Sequence, residues 1–147
     1  MRLVVEVADF DAAVTFYREV LGMPETLAFA EGGEDRVAIL EAGRATLELT
    51  TPAHARTIDR HEGVAGPSPR IRLALEVEDA HASTASAVEA GAAEVAPPTI
   101  TPWRSLNSRL EAPGDLQLTL FQELVEARER AASPGFATDR ARPGNHS

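Results

Sequence analysis

The chain has no cysteine and no lysine among its 147 residues. Without cysteine there is no disulfide scaffold, no thiolate metal site and no cysteine nucleophile. Any metal ion would need histidine and carboxylate ligands. Without lysine, the 14 basic residues are all arginine, and 23 acids outnumber them to give a formal charge of −9. No basic stripe is available to neutralise phosphates, so nucleic acid is not an expected partner. No run of about 18 apolar residues exists to span a bilayer, so none is expected in a membrane. The start, Met1-Arg2-Leu3-Val4-Val5-Glu6, meets an acid too early for a signal peptide, which implies a cytoplasmic protein.

What is present suits one ordinary domain, or two small modules sharing a core. From Glu123 onward the acids Glu123, Glu126, Glu129 and Asp139 balance Arg128, Arg130, Arg140 and Arg142, so residues 1–122 carry the whole negative excess. If that field converges on a cleft it favours cationic small ligands; if it is spread over the surface it only confers solubility.

The chain also repeats itself. Leu3-Val4-Val5-Glu6-Val7-Ala8-Asp9 aligns with Leu73-Ala74-Leu75-Glu76-Val77-Glu78-Asp79, both alternating as strands do. Each runs into an alanine-rich amphipathic segment, 10–21 and 80–90. Asp9 or Asp11 is available as N-cap of the first, and Gly22 and Gly91 stand at the expected C-caps. Three strand-like runs follow each helix: 25–30, 36–41 and 45–50 in the first copy, 94–96, 105–110 and 116–122 in the second. The organisation is thus a first βαβββ module over 1–52, a linker over 53–70 with a short helix at 53–62, a second module over 71–122, and a tail over 123–147. The tail opens with a helical turn or two at 123–132 and then takes on a disordered composition.

Val7-Ala8-Asp9-Phe10 followed by Phe16-Tyr17-Arg18-Glu19-Val20-Leu21-Gly22-Met23 resembles the first strand, helix and FYxxxLG cap of the vicinal oxygen chelate superfamily, the glyoxalase, bleomycin-resistance and extradiol dioxygenase relatives. Leu47-Glu48-Leu49 before Pro52, and Ala112-Pro113-Gly114 leading to Leu118-Thr119-Leu120-Phe121-Gln122, resemble its closing strands. The resemblance covers residues 1 to about 122. It implies an α+β fold of two tandem βαβββ modules whose curled mixed sheets enclose a cleft, with helices on the outer face. A module's sheet edges need pairing or covering, which the family does by joining modules within or between chains, and a homodimer is expected.

Period-2 alternation assigns the faces. Leu73, Leu75 and Val77 should meet the helix, leaving Arg72, Ala74 and Glu76 in the cleft; Arg2, Val4 and Glu6 occupy the same places in the first copy. Thr46, Glu48 and Thr50, and Gln117, Thr119 and Phe121, line the cleft from the closing strands. The positions where the resemblance implies metal ligands are Arg2, Glu48, Arg72 and Thr119. Only Glu48 among them is a good ligand, and two guanidiniums would repel a cation, so neither metal nor other cofactor is expected. Glu6 and Glu76 with Glu48 are the one alternative acidic set.

Arg2 and Arg72 instead suit a ligand's carboxylate or a developing oxyanion. Equally, Arg2, Glu6, Glu48, Arg72 and Glu76 satisfy one another as an internal ion-pair network, because buried charges must be paired. Asn107 and Arg109 share a face directed at the cleft. Trp103 either stacks a planar or cationic ligand at its mouth or plugs the space between modules. His54 and His61 read as solvated linker residues.

Two classes of function remain. The first is a small-molecule-binding protein that takes a cationic or oxyanion-bearing ligand. The second is a lyase, isomerase or dioxygenase-type enzyme of the same superfamily, including a metal-independent form with Glu48 or Glu76 as proton acceptor and Arg72 as oxyanion partner. The lost ligands favour binding.

Overall fold

The computed structural model describes residues 7–32, 35–45 and 52–132. In chain order the elements are α1 (Phe10–Val14), continued by a π-helical stretch over Thr15–Val20, β1 (Glu25–Gly32), β2 (Asp35–Leu40), α2 (Pro52–Glu62), β3 (Leu73–Glu76), α3 (Ala80–Glu89), β4 (Ala93–Ile100), β5 (Ser105–Ala112), β6 (Leu116–Glu123) and α4 (Ala127–Ala131). The strands expected before residue 7 and over 45–50, and the tail beyond 132, fall almost wholly outside the described residues. The fold class is α+β with helices and mixed sheets, as the sequence implies.

The helices α1 and α3 both begin on an aspartate. Asp9 accepts the Ala12 N–H at 2.9 Å and Asp79 accepts the Ala82 N–H at 3.0 Å, each capping a first-turn donor. Asp11 is therefore not a cap. It receives both terminal nitrogens of Arg36 on β2, at 3.2 and 2.6 Å, while that guanidinium lies 4.3 Å from the centre of the Phe10 ring. The β1–β2 hairpin is thereby tied to α1. The hydrogen bond and charge of Arg36 hold the Asp11 carboxyl below its ordinary value. Gly22 and Gly91 both take the positive φ that ends a helix in the left-handed region.

The segment expected as one regular helix widens after Val14. Leu21 donates to the Phe16 carbonyl, five residues back, at 3.0 Å. A wider turn rotates successive side chains by less than an α-helix does, so the adjacent Phe16 and Tyr17 both reach the core. Their rings meet edge to face, 5.2 Å apart.

The larger sheet has the order β3-β6-β5-β4, with β3 parallel to β6 and the other pairs antiparallel. Leu110, Leu118 and Leu120, with Ala87 of α3, form a buried cluster against which Leu73, Leu75 and Val77 pack. Phe16 joins it, so the first helix shares a core with the second half of the chain. On the same face, the Thr84 and Ser108 hydroxyls pair at 2.6 Å between α3 and β5.

Two boundaries depart from expectation. β4 runs on through Pro97-Pro98 to Ile100 rather than ending at Ala96. It tolerates both prolines because it is an edge strand of the described sheet and its pairing with β5 shifts register on either side of Ala96. The tail helix is confined to α4, whose N-cap position, Glu126, supplies no side-chain cap. No helix among the described residues is long and apolar enough to cross a membrane.

Candidate functional site

The face of the larger sheet turned away from α3 is polar, as alternation predicts. On it Asn107, Arg109 and Glu111 of β5 stand opposite Phe121, Thr119 and Gln117 of β6. Thr119 and Phe121 in turn stand opposite Ala74 and Glu76 of β3. Asn107, Arg109, Gln117 and Thr119 are buried, Phe121 and Arg72 half-buried, and Glu76 exposed. Arg2, Glu6 and Glu48 lie outside the described residues.

The segment read as a linker supplies the most heavily engaged charges. One helical turn of α2 turns Ile58, Asp59 and Glu62 onto the sheet, and all three are buried. α2 packs on β4 and β5. The linker helix thus packs its inner face on the sheet, and Arg109, expected on a face directed at the cleft, has no exposed surface in this closed arrangement. A guanidinium so placed must be paired, and α2 provides the partners.

Arg109 Nη2 donates to Glu62 Oε2. Its Nη1 reaches Ser68 Oγ and Gln117 Oε1, both at 2.8 Å, and Asp59 Oδ1 at 3.3 Å. Ser68 also donates to Asp59 at 2.6 Å. The other Glu62 oxygen accepts from Asn107 Nδ2 at 2.8 Å, and Asn107 Oδ1 accepts from Ser105 Oγ at 2.6 Å. Gln117 passes the chain on to Glu111 at 3.0 Å. Asn107 and Arg109 thus hold the two oxygens of one carboxylate. Arg109 Nε is buried without an acceptor among the described residues.

Asp59, Glu62 and Ser68 were not among the residues singled out by sequence. The available signal was the spacing of Ile58, Asp59 and Glu62 on one helical face, but charges rather than apolar residues carried it. His61 is exposed, as expected, but its ring meets Trp103 edge-on at 5.8 Å. Trp103 therefore sits against the end of α2.

On the other half of the face, Arg72 Nε donates to Thr119 Oγ1 at 3.1 Å. These are two of the positions at which the resemblance implies metal ligands. A guanidinium hydrogen-bonded to the hydroxyl oxygen is a poor fit to a divalent cation, because it places a fixed positive charge where the ion would sit. Among the described residues, no three His, Cys, Asp or Glu side chains come together as a metal-binding set. Glu76 borders an open groove of about 410 Å³ lined also by Val77, Glu78, Gln122 and Glu123.

A family model described as glyoxalase-like domain matches residues 2–121. Among solved structures, a member of the glyoxalase/bleomycin resistance protein/dioxygenase superfamily from Sphaerobacter thermophilus aligns with a TM-score of 0.53 at 19% identity, over 84% of this chain and 98% of that one. TioX from Micromonospora aligns with a TM-score of 0.52 at 24% identity, over 86% and 98%. A glyoxalase/bleomycin resistance protein/dioxygenase family enzyme from Burkholderia phytofirmans gives 0.51 at 15%, over 80% and 91%. Curated protein sequences give no significant match. At these identities the solved structures establish the shared fold, while the family model spans most of the sequence. The chain belongs to the glyoxalase-like domain family of the vicinal oxygen chelate superfamily.

Proposed function

We propose that the protein is a metal-independent binder of a small organic molecule, held on the polar face of the larger sheet beside Arg72, Thr119, Phe121 and Glu76. The observation that carries this reading is the Arg72–Thr119 hydrogen bond at 3.1 Å, which fills two expected metal-ligand positions with a cation and its acceptor. Arg72 offers a fixed charge and a planar fork to an oxyanion. Glu76, exposed beside Glu78 and Glu123 along the groove, suits a ligand's cationic group. Phe121, directly across from Glu76, supplies apolar contact between them.

Binding is favoured over catalysis because Glu76 makes no hydrogen bond among the described residues that would hold it as a positioned base. The test is a thermal-shift screen with aromatic amines and aromatic carboxylates, run on metal-free protein. Compounds that raise the Tm of the wild type but not of Arg72→Met support the reading. Stoichiometric, tightly held Zn, Ni, Mn or Fe on the purified protein would overturn it.

A further inference from the structure

α2 occupies half of the face to which the ligand is assigned, and it does so by polar means. Among the described residues Ile58 is its one buried apolar side chain; the other buried contacts of its inner face are Asp59 and Glu62. An apolar attachment loses its whole hydrophobic gain on opening. A buried ion pair behaves differently, because separation returns each charge to water and recovers the hydration given up on pairing. The helix also ends at Gly63, whose φ of +74° lies in the left-handed region that glycine adopts without strain.

The pairing is unbalanced for a permanently closed core. Asp59 and Glu62 bring two carboxylates to one guanidinium. They and their neighbours crowd the terminal nitrogens of Arg109, while its Nε is left with no acceptor. The arrangement around Glu62 is, by contrast, complete. One oxygen accepts from Asn107 and the other from Arg109, the pattern by which a site recognises a free carboxylate.

We infer that α2 is a displaceable strap and that Glu62 occupies, in cis, a carboxylate-binding site formed by Asn107 and Arg109. A ligand carboxylate takes the place of Glu62 when the strap lifts. This rests on the assignment of a small ligand to this face, and it names the ligand's chemical class as an organic carboxylate.

The probes are sodium benzoate, its neutral isostere benzamide, and sodium chloride at matched ionic strength, with amide hydrogen exchange and calorimetry on the full chain. In the wild type, amides of residues 57–62 should exchange through an opening that leaves β5 and β6 protected, and benzoate alone should increase that exchange saturably. Glu62→Gln should bind benzoate roughly tenfold more tightly than the wild type, reflecting release of the competing carboxylate. Exchange of α2 only together with β5 and β6 overturns the strap. Equal benzoate affinity in the two proteins, or none in either, overturns the carboxylate site. Glu76-dependent binding of an amine in the thermal-shift screen would still sustain the broader reading. If Glu62→Gln does not fold, the wild-type exchange experiment decides alone.

Discussion

Glu62 and Arg109 stand 47 residues apart in the chain and meet as a fully buried ion pair, one at the last turn of α2 and the other in the middle of β5. The contact joins α2 to the sheet, and among the described residues Ile58 is the one buried apolar side chain that helps it. Its energetics should be those of buried charge. Removing one partner leaves the other desolvated, whereas replacing both with apolar groups removes the penalty along with the attraction.

Arg109→Met strands both Asp59 and Glu62 and is expected to cost about 3 to 5 kcal/mol in urea unfolding. Combining it with Asp59→Leu and Glu62→Leu should recover most of that loss. A triple variant no more stable than Arg109→Met would show that geometry, rather than unpaired charge, governs the site.

The face assignments were legible because apolar residues marked them. Leu73, Leu75 and Val77 alternate, and all three pack on the core cluster opposite Arg72, Ala74 and Glu76. Asn107, Arg109, Gln117 and Thr119 likewise fall on one face. The strand over Pro97-Pro98 was hidden because proline argues against a strand unless the edge position is known. The inner face of α2 was hidden for a different reason. Its period is written in Asp59 and Glu62, which read locally as solvated charges, and their partner Arg109 lies 47 and 50 residues downstream. Local patterning carries no information on such a pairing. Arg2, Glu6 and Glu48, named from the same alternation, fall outside the described residues.

Phe16 tests whether the N-terminal helix belongs to the core of the larger sheet. Its side chain is 1% exposed and clusters with Leu110, Leu118 and Leu120. Phe16→Ala should cost about 3 to 5 kcal/mol, measured by thermal or urea unfolding. A loss within the range of surface substitutions would separate the helix from that core.

Tyr17 is the sole tyrosine, so ultraviolet titration of phenolate reports on it alone. Burial raises its pKa from 10.0 to about 12, and its hydroxyl has no partner among the described residues. Above pH 10 the unfolded chain loses the phenolic proton while the folded chain retains it. The contribution of Tyr17 to stability is therefore complete below pH 10 and declines as pH rises toward 12. Tyr17→Phe should flatten that decline. A phenolate midpoint near 10 in the folded protein would refute the burial argument.

Arg72 separates a ligand-binding role from a structural one. It is half-buried and donates to Thr119, whose side chain is itself buried. Losing the donor to that hydroxyl, which can still rotate to donate elsewhere, should itself cost about 1 kcal/mol in the unliganded protein. That is well below the cost expected of Arg109→Met, which strands two buried carboxylates. Any compound found by thermal shift should lose affinity far more than the protein loses stability. Arg72→Lys should restore the charge but only part of the binding, since an ammonium lacks the planar fork. If Arg72→Met instead destabilises the unliganded protein as much as Arg109→Met does, Arg72 is a second structural arginine, and the ligand must be held by Phe121 and Glu76 without it.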